Sequence, residues 1–340
     1  MGEVTLKQIA LELGISITTV SKALKNYKDV SPKTKAAVIK LAEKLNYRPN
    51  SFAVNLRTKE SKTIGLIIPE IVHHFFSNIV NAIIEEAEKK GYLVIILQSN
   101  ESEELEKKQI DLLLSKRVDG ILMSLSNNTT NLDHLKKVIA NNTPLVLFDK
   151  ISKLIDCSKV IIDDRNAGYA ATEHLIKCGC KKIAHFRGPL NPQNSIDRFL
   201  GYKKALEDYN MKFDRSIVFT CEKVNFDEGY NFAKKIYTEH KDVDGIFAIT
   251  DLVGIGVVAY FNEVGVKIPD QIAIIGFSNW FMASVITPSL STIDQPGFEM
   301  GKKALKLLLK EIKAHKKGKE FKYKTIVLST KLIERKSTAF

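Results

Sequence analysis

Residues 5–58 read TLKQIALELGISITTVSKALKNYKDVSPKTKAAVIKLAEKLNYRPNSFAVNLRT, and the punctuation in this stretch settles the organisation of the chain's N-terminal part. Thr5 with Gln8 three residues on forms a capping box, the reciprocal pairing that opens a helix, and Leu6, Ile9, Ala10 and Leu13 follow as an apolar stripe. Gly14 ends that helix, since glycine takes the left-handed conformation without strain. Ser16 caps a second helix from Ile17 to about Lys25, with Val20, Ala23 and Leu24 on one face, and Ser31-Pro32 opens a third. The joining stretch Arg48–Ser61 holds Asn50 as a cap and one or two helical turns, Ser51 to Arg57; a helix this short is marginal in water and needs a partner to fold.

Beyond Lys62 the pattern changes. Short β-branched runs, among them Thr63–Ile68, Tyr92–Gln98, Gly120–Ser124, Pro144–Phe148, Ser158–Ile162, Lys182–Phe186, Ser216–Thr220, Gly245–Ile249 and Ile272–Gly276, read as buried parallel strands separated by amphipathic helices. This alternation predicts a doubly wound α/β architecture, and its length predicts two lobes with a ligand cleft beyond the strands' carboxyl ends.

The 340 residues are ordinary in composition, 44% hydrophobic and 26% charged, with no apolar run long enough to span a bilayer. The N-terminus has neither a basic nor an apolar export segment, which predicts a cytoplasmic protein. Cys157, Cys178, Cys180 and Cys221 offer no metal-ligand spacing, so no metal and no cofactor is expected. The net charge of +12 is unevenly spread: residues 1–62 hold 12 Lys/Arg against 5 Asp/Glu, placing more than half of the excess at one end. Such a surplus supplies sequence-independent attraction to an anionic partner.

A second helix entered by the tight Gly14-Ile15-Ser16 turn is what a helix-turn-helix requires in order to project into a major groove. Ile17, Thr18, Ser21 and Lys22 are its exposed early positions: Lys suits guanine O6 and N7, and the Ile and Thr methyls suit a thymine methyl. Thr5, Ser16, Thr19, Lys25, Asn26 and Lys28 suit phosphate oxygens. The plainer reading is a three-helix cap whose lysines form a solvated face.

The quoted stretch closely resembles the headpiece of the lactose-repressor (LacI/GalR) family: T-L-x-x-I-A at Thr5, G-V-S-x-x-T-V-S at Gly14 with Ile15 for Val, V-S-x-x-T at Val30 and L-N-Y-R-P-N at Leu45, with no gaps. The resemblance extends through LLLSKRVDGILM, HFRGP, DGIFAITDLVGIGVV, VKIPDQIAIIGFSN and TPSLSTIDQP to the final LIERKSTA. It implies an α/β transcriptional regulator, a repressor, with a headpiece at 1–49, a hinge helix and linker at 50–61, and a periplasmic-binding-protein-like effector module at 62–340. Its lobes are expected at 62–161 plus 292–320 and at 162–291 plus 321–340, joined by three crossings. The resemblance further implies a homodimer on a pseudo-palindromic operator, with Leu56 wedged into a minor-groove step; an inserted apolar side chain unstacks the step and bends the duplex. Packing of Leu56 within its own chain is the alternative.

Residues matching the family's pocket are Phe75, Phe76, Asp149, Arg198, Asp251, Ser278 and Asn279, each near a strand's carboxyl end. The expected effector is a sugar or sugar derivative held in the interlobe cleft. Each residue also has a bland reading: helix-start core for the phenylalanines, caps or turns for the aspartates, a structural ion pair for Arg198. Gly276-Phe277-Ser278-Asn279 lacks the carboxylate that many sugar-responsive members carry after the glycine-aromatic pair, which opens an alternative of a phosphorylated or acidic sugar. Gly254-x-Gly256 is too weak a signal for a nucleotide loop, and neither a Walker motif nor a nucleophile elbow is present, so no enzyme is expected. A transport-associated solute-binding protein is the nearer rival, and the helix-turn-helix opposes it.

Overall fold

The computed structural model describes residues 4–47, 60–71 and 74–339. The expected hinge helix and its Leu56, together with Asn50, lie outside these residues. The described chain divides into two units, residues 1–61 and 62–340.

In the first unit, α1 (Leu6–Leu13), α2 (Ile17–Leu24) and α3 (Pro32–Lys44) enclose a small core of Ile9, Ala10, Val20, Ala23, Val30, Val38 and Ala42. Each helix begins on a hydroxyl cap: Thr5, Ser16 and Ser31 accept from the backbone N–H three residues on. The Thr5–Gln8 capping box closes in both directions, and Gly14 sits at φ +63°, a conformation that costs a side-chain-bearing residue strain.

The second unit carries two six-stranded sheets. The chain runs β1 (Thr63–Ile68), α4 (His74–Glu88), β2 (Leu93–Gln98), α5 (Glu103–Ser115), β3 (Gly120–Met123), α6 (Asp133–Ala140), β4 (Leu145–Phe148) and β5 (Ser158–Ile162) in one lobe. It crosses to α7 (Asp164–Lys177), β6 (Ile183–Arg187), α8 (Gln193–Asp208), β7 (Val218–Thr220), α9 (Phe226–Glu239), β8 (Gly245–Ala248), α10 (Asp251–Glu263), β9 (Ala273–Phe277), α11 (Met282–Val285) and β10 (Ser291–Asp294). It returns with α12 (Gly297–Lys316) and β11 (Thr325–Leu328), then crosses once more to β12 (Lys331–Ile333). The sheet orders are β11-β5-β4-β3-β1-β2 and β12-β10-β9-β8-β6-β7. All pairings are parallel except that of β12 with β10.

Two lobe boundaries differ from the sequence-based expectation. SLSTIDQP was read as a crossing, but Ser291–Asp294 pairs with β9, burying Ile293, so the second sheet extends to Asp294 and the chain crosses at Gln295-Pro296. The single late strand expected over Tyr323–Ile333 is broken at Ser329-Thr330. Its first half pairs with β5 in the first sheet, and only Lys331–Ile333 joins the second. Apolar alternation places a strand; it does not say which of two sheets offers the open edge.

Two helix pairs meet backbone to backbone. A Cβ on Gly201 of α8 would lie 2.1 Å from the Arg165 carbonyl oxygen of α7, and one on Gly168 2.4 Å from that of Arg198. Gly229 and Gly256 do the same for α9 and α10, at 2.1 Å from the Val253 oxygen and 2.2 Å from the Phe226 oxygen. Gly254-x-Gly256 is thus an interior part of α10, with Gly256 serving helix contact. Gly201→Ala is expected to force these two backbones apart and to cost about 1–3 kcal/mol, read as a fall in thermal midpoint; an unchanged midpoint would show that α7 and α8 are free to separate.

Candidate DNA-binding surface and effector cleft

On α2, the side chain of Ile17 is 47% exposed and Thr18 is exposed, while Val20 and Ala23 turn into the core. Ser21 and Lys22 are half-buried. Ser16 accepts the Thr19 N–H at 3.0 Å and shares a hydroxyl contact with Thr19 at 2.8 Å, so both side chains are engaged at the helix start. Thr5, Lys25 and Asn26 are exposed, Asn26 in the left-handed region at φ +57°. Lys22 is ion-paired with Asp29, a partner that sequence reasoning missed. This pair is exposed on both sides, and such pairs contribute little, so the ammonium is available for exchange onto a phosphate or a base edge.

Between the two lobes lies a cavity of about 590 Å³. Six of the seven expected pocket residues line it: Phe75, Phe76, Asp149, Arg198, Asp251 and Ser278. Asn279 does not. Its amide donates to Asp294 at 2.8 Å and accepts from Arg335 at 2.6 Å, tying β9 to the end of β10 and to the C-terminal segment. The expected place of Asn279 in the pocket is thus corrected, because two charged neighbours claim its amide.

The remaining six are held in different ways. Phe75 and Phe76 meet edge to face at 5.5 Å and are largely buried in the first lobe's core. Asp149 directly follows β4 at φ +56°, is buried, and has Asn194 Nδ2 at 3.5 Å. Burial pushes its carboxyl above the usual range, opposed by Arg198. Arg198 Nε donates to Asp164 at 2.8 Å, Nη1 donates to the Ile249 carbonyl at 3.3 Å, and the guanidinium lies 3.7 Å from the Phe277 ring centroid. The structural pairing foreseen as the alternative for Arg198 is therefore present at the cavity wall. Burial raises Asp164 while Arg198 pulls it back.

Asp251 accepts the Thr292 hydroxyl and the Trp280 N–H, each at 2.6 Å, which leaves its carboxylate committed to the second lobe. A Cβ on Gly276 would come within 2.3 Å of that carboxylate, which explains the glycine. Ser278, at φ +106°, donates its hydroxyl to Gln295 Oε1 at 2.8 Å.

Several lining groups escaped the sequence reading. Lys150 pairs with Glu101 at 2.6 Å, and Glu101 also accepts the Asn127 N–H while its carbonyl holds the Asn128 amide at 3.0 Å. Ser195 Oγ and Gln295 Nε2 are buried without a hydrogen-bond partner and line the cavity. Ser195 was findable, standing one turn before Arg198 on the same helix; Gln295 became visible only once the crossing was placed. Among the described residues no group of three or more His, Cys, Asp or Glu is placed to hold a metal ion.

A family model described as "Bacterial regulatory proteins, lacI family" matches residues 5–50, and one described as "Periplasmic binding proteins and sugar binding domain of LacI family" matches residues 61–333. The chain belongs to the LacI family. A ribose operon repressor from Halalkalibacterium halodurans is 32% identical over 335 residues, spanning 98% of this chain and 97% of its own. The transcriptional repressor PurR of Haemophilus influenzae is 30% identical over 336 residues, 98% of each chain. Among solved structures, the lac repressor dimer bound to operator and an anti-inducer superposes with a TM-score of 0.87 at 25% identity over 99% of both chains. A LacI-type regulator from Alkaliphilus metalliredigens, complexed with D-xylulofuranose, gives 0.70 at 30% identity, over 82% of this chain and all of its own. The chain is thus a DNA-binding transcription regulator of the LacI family under small-molecule control, and dimerisation is typical of that family. No helix among the described residues is long and apolar enough to cross a membrane.

Asp251 also sets a pH dependence. Burial raises its folded-state pKa to about 6, against about 3.9 in an unfolded chain. The folded protein therefore holds this proton more tightly, so the group's contribution is complete below about pH 4 and is lost as pH rises through about 6. Relative to Asp251→Asn, the wild type is expected to lose on the order of 2 kcal/mol between those limits, measured by thermal melts; a pH-independent difference would contradict it.

Proposed function

We propose that this LacI-family regulator is a cytoplasmic homodimeric repressor that reads a pseudo-palindromic operator with Ile17, Thr18, Ser21 and Lys22, and releases or tightens its hold when a neutral, hydroxyl-rich small molecule occupies the interlobe cleft. Ser16, Thr19, Thr5, Lys25 and Asn26 would then meet phosphates and fix register, while Asn50 and the Leu56 wedge act in the hinge. The neutral class rests on what the cleft leaves unspent. Gln295 Nε2 can only donate, Ser195 Oγ donates or accepts, and the buried Asp149 carboxyl beside Asn194 Nδ2 offers an acceptor. A hydroxyl is the group that both donates and accepts. Of the three lysine and arginine side chains that line the cleft, Lys150 is already paired with Glu101 and Arg198 with Asp164, while the third, Lys223, is exposed. This favours a neutral sugar over the phosphorylated or acidic alternative, and it agrees with the ribose operon repressor and the D-xylulofuranose complex among its relatives.

The single observation that carries the reading is the position of Gln295, which lines the cleft and also forms the second chain crossing between β10 and α12. A ligand oxygen that accepts from Gln295 Nε2 would therefore act on the crossing itself, and an effector shifts the two lobe arrangements only by its different affinity for each.

Operator selection from random duplex, followed by affinity measurement against a panel of neutral sugars and sugar phosphates, tests the proposal. A neutral sugar is expected to change operator affinity at least tenfold, and Asp149→Asn is expected to remove that response while leaving sugar-free operator affinity within about twofold. Exchange of Ile17 and Thr18 is expected to change the preferred sequence without changing the melting temperature. A response confined to phosphorylated ligands would overturn the ligand class, and no sequence preference over random DNA would overturn the regulator reading.

A further inference from the structure

Near the β7 edge of the second sheet, and not among the residues that line the cleft, stands a group of cations with no ion-paired carboxylate among the described residues. Arg187, the last residue of β6, is only 7% exposed, and its Nε is buried without a hydrogen-bond acceptor. Its guanidinium lies 4.3 Å from the centroid of the Phe199 ring. The ring attracts the guanidinium's charge but accepts no hydrogen bond from its Nε–H, which stays unmet. Lys203 lies 6.0 Å from the Phe199 centroid and 5.0 Å from that of Phe213, which contacts Phe199 at 6.2 Å. Arg215 donates only to the Val218 carbonyl, at 3.1 Å, on the neighbouring edge strand β7. The acid beside it, Asp214, is turned to Ser216 and to Lys182. No carboxylate pairs with Arg187, Lys203 or Arg215 among the described residues.

Taking an unpaired cation out of water is costly. Burial and then Arg215 both disfavour charge on Arg187, and its guanidinium stays protonated at any ordinary pH. The unmet Nε–H of a buried guanidinium, with Lys203 at the same Phe199 ring and Arg215 adding further positive charge, fits an oxyanion, which accepts in-plane N–H donors from a guanidinium. We infer that Arg187, Lys203 and Arg215 form a second ligand site on this regulator, one that takes phosphate or a small phosphate monoester and is distinct from the effector cleft. Occupancy would neutralise the edge between β6, β7 and α8 and stabilise the second lobe by mass action.

The test is a thermal-melt and calorimetric titration of the full-length protein with inorganic phosphate and with glycerol phosphate, each against sodium chloride at matched ionic strength. The wild type is expected to show a saturable rise in melting temperature with at least one phosphate ligand and none with chloride; the tighter of the two identifies the source. Arg187→Gln is expected to abolish the rise, and Arg187→Met to melt at or above the wild type in phosphate-free buffer because it removes an unpaired buried charge. Lys203→Gln and Arg215→Gln, at exposed positions, are expected to weaken phosphate binding several-fold without lowering the basal melting temperature. An equal response to chloride, or full retention of the phosphate response in Arg187→Gln or in both exposed-position variants, overturns the site.

Discussion

The polypeptide passes between its two sheets three times, at 163, at Gln295-Pro296 and at Ser329-Thr330, so neither lobe is continuous in sequence and neither can move without bending the same three strands of chain. The polar network gathers at these crossings. Asp164 opens α7 immediately after the first and is held by Arg198, whose guanidinium lies on the Phe277 ring of β9. Asp294, at the end of β10, holds Asn279, and Arg335 beyond the third crossing holds Asn279 from the other side. A buried ion pair of this kind adds little net stability, but breaking one partner leaves an unpaired charge. These contacts therefore fix geometry more than they add stability, and the geometry they fix is that of the chain crossings and of Arg198 in the cleft wall.

The same constraint explains which cleft groups remain for a ligand. Arg198, Asp251, Ser278 and Lys150 each have a protein partner that orients them, whereas Asp149, Ser195 and Gln295 have donors or acceptors to spare. Buried polar groups of native proteins are nearly always paired. Unpaired ones that converge on a cavity are the expected signature of a site that waits for its ligand.

Much of this was legible in the sequence, because its signals are local. Thr5 with Gln8, Gly14, Ser16 and Ser31-Pro32 mark helix ends through hydrogen bonds and backbone conformations that involve only neighbouring residues, and all three headpiece helices begin where those residues stand. The nine β-branched runs became strands for the same reason. What escaped was non-local. The assignment of Ser291–Asp294 and Thr325–Leu328 to their sheets depends on which edge is open, and the engagement of Asn279 depends on Arg335, 56 residues away. Likewise Asp29 opposite Lys22 becomes visible only when the turn after α2 brings them together.

The central claim is that the cleft and the operator bias one equilibrium of lobe closure through the three crossings. The most direct measurement is the distance distribution between spin labels placed at Lys90 in the first lobe and Lys241 in the second, recorded for the free protein, with operator, with the selected sugar, and with both. The account predicts two distances whose proportions shift with the sugar and with the operator, and a mixed sample set by their competition or cooperation. One unchanged distance in all four samples, with both ligands demonstrably bound, would contradict it.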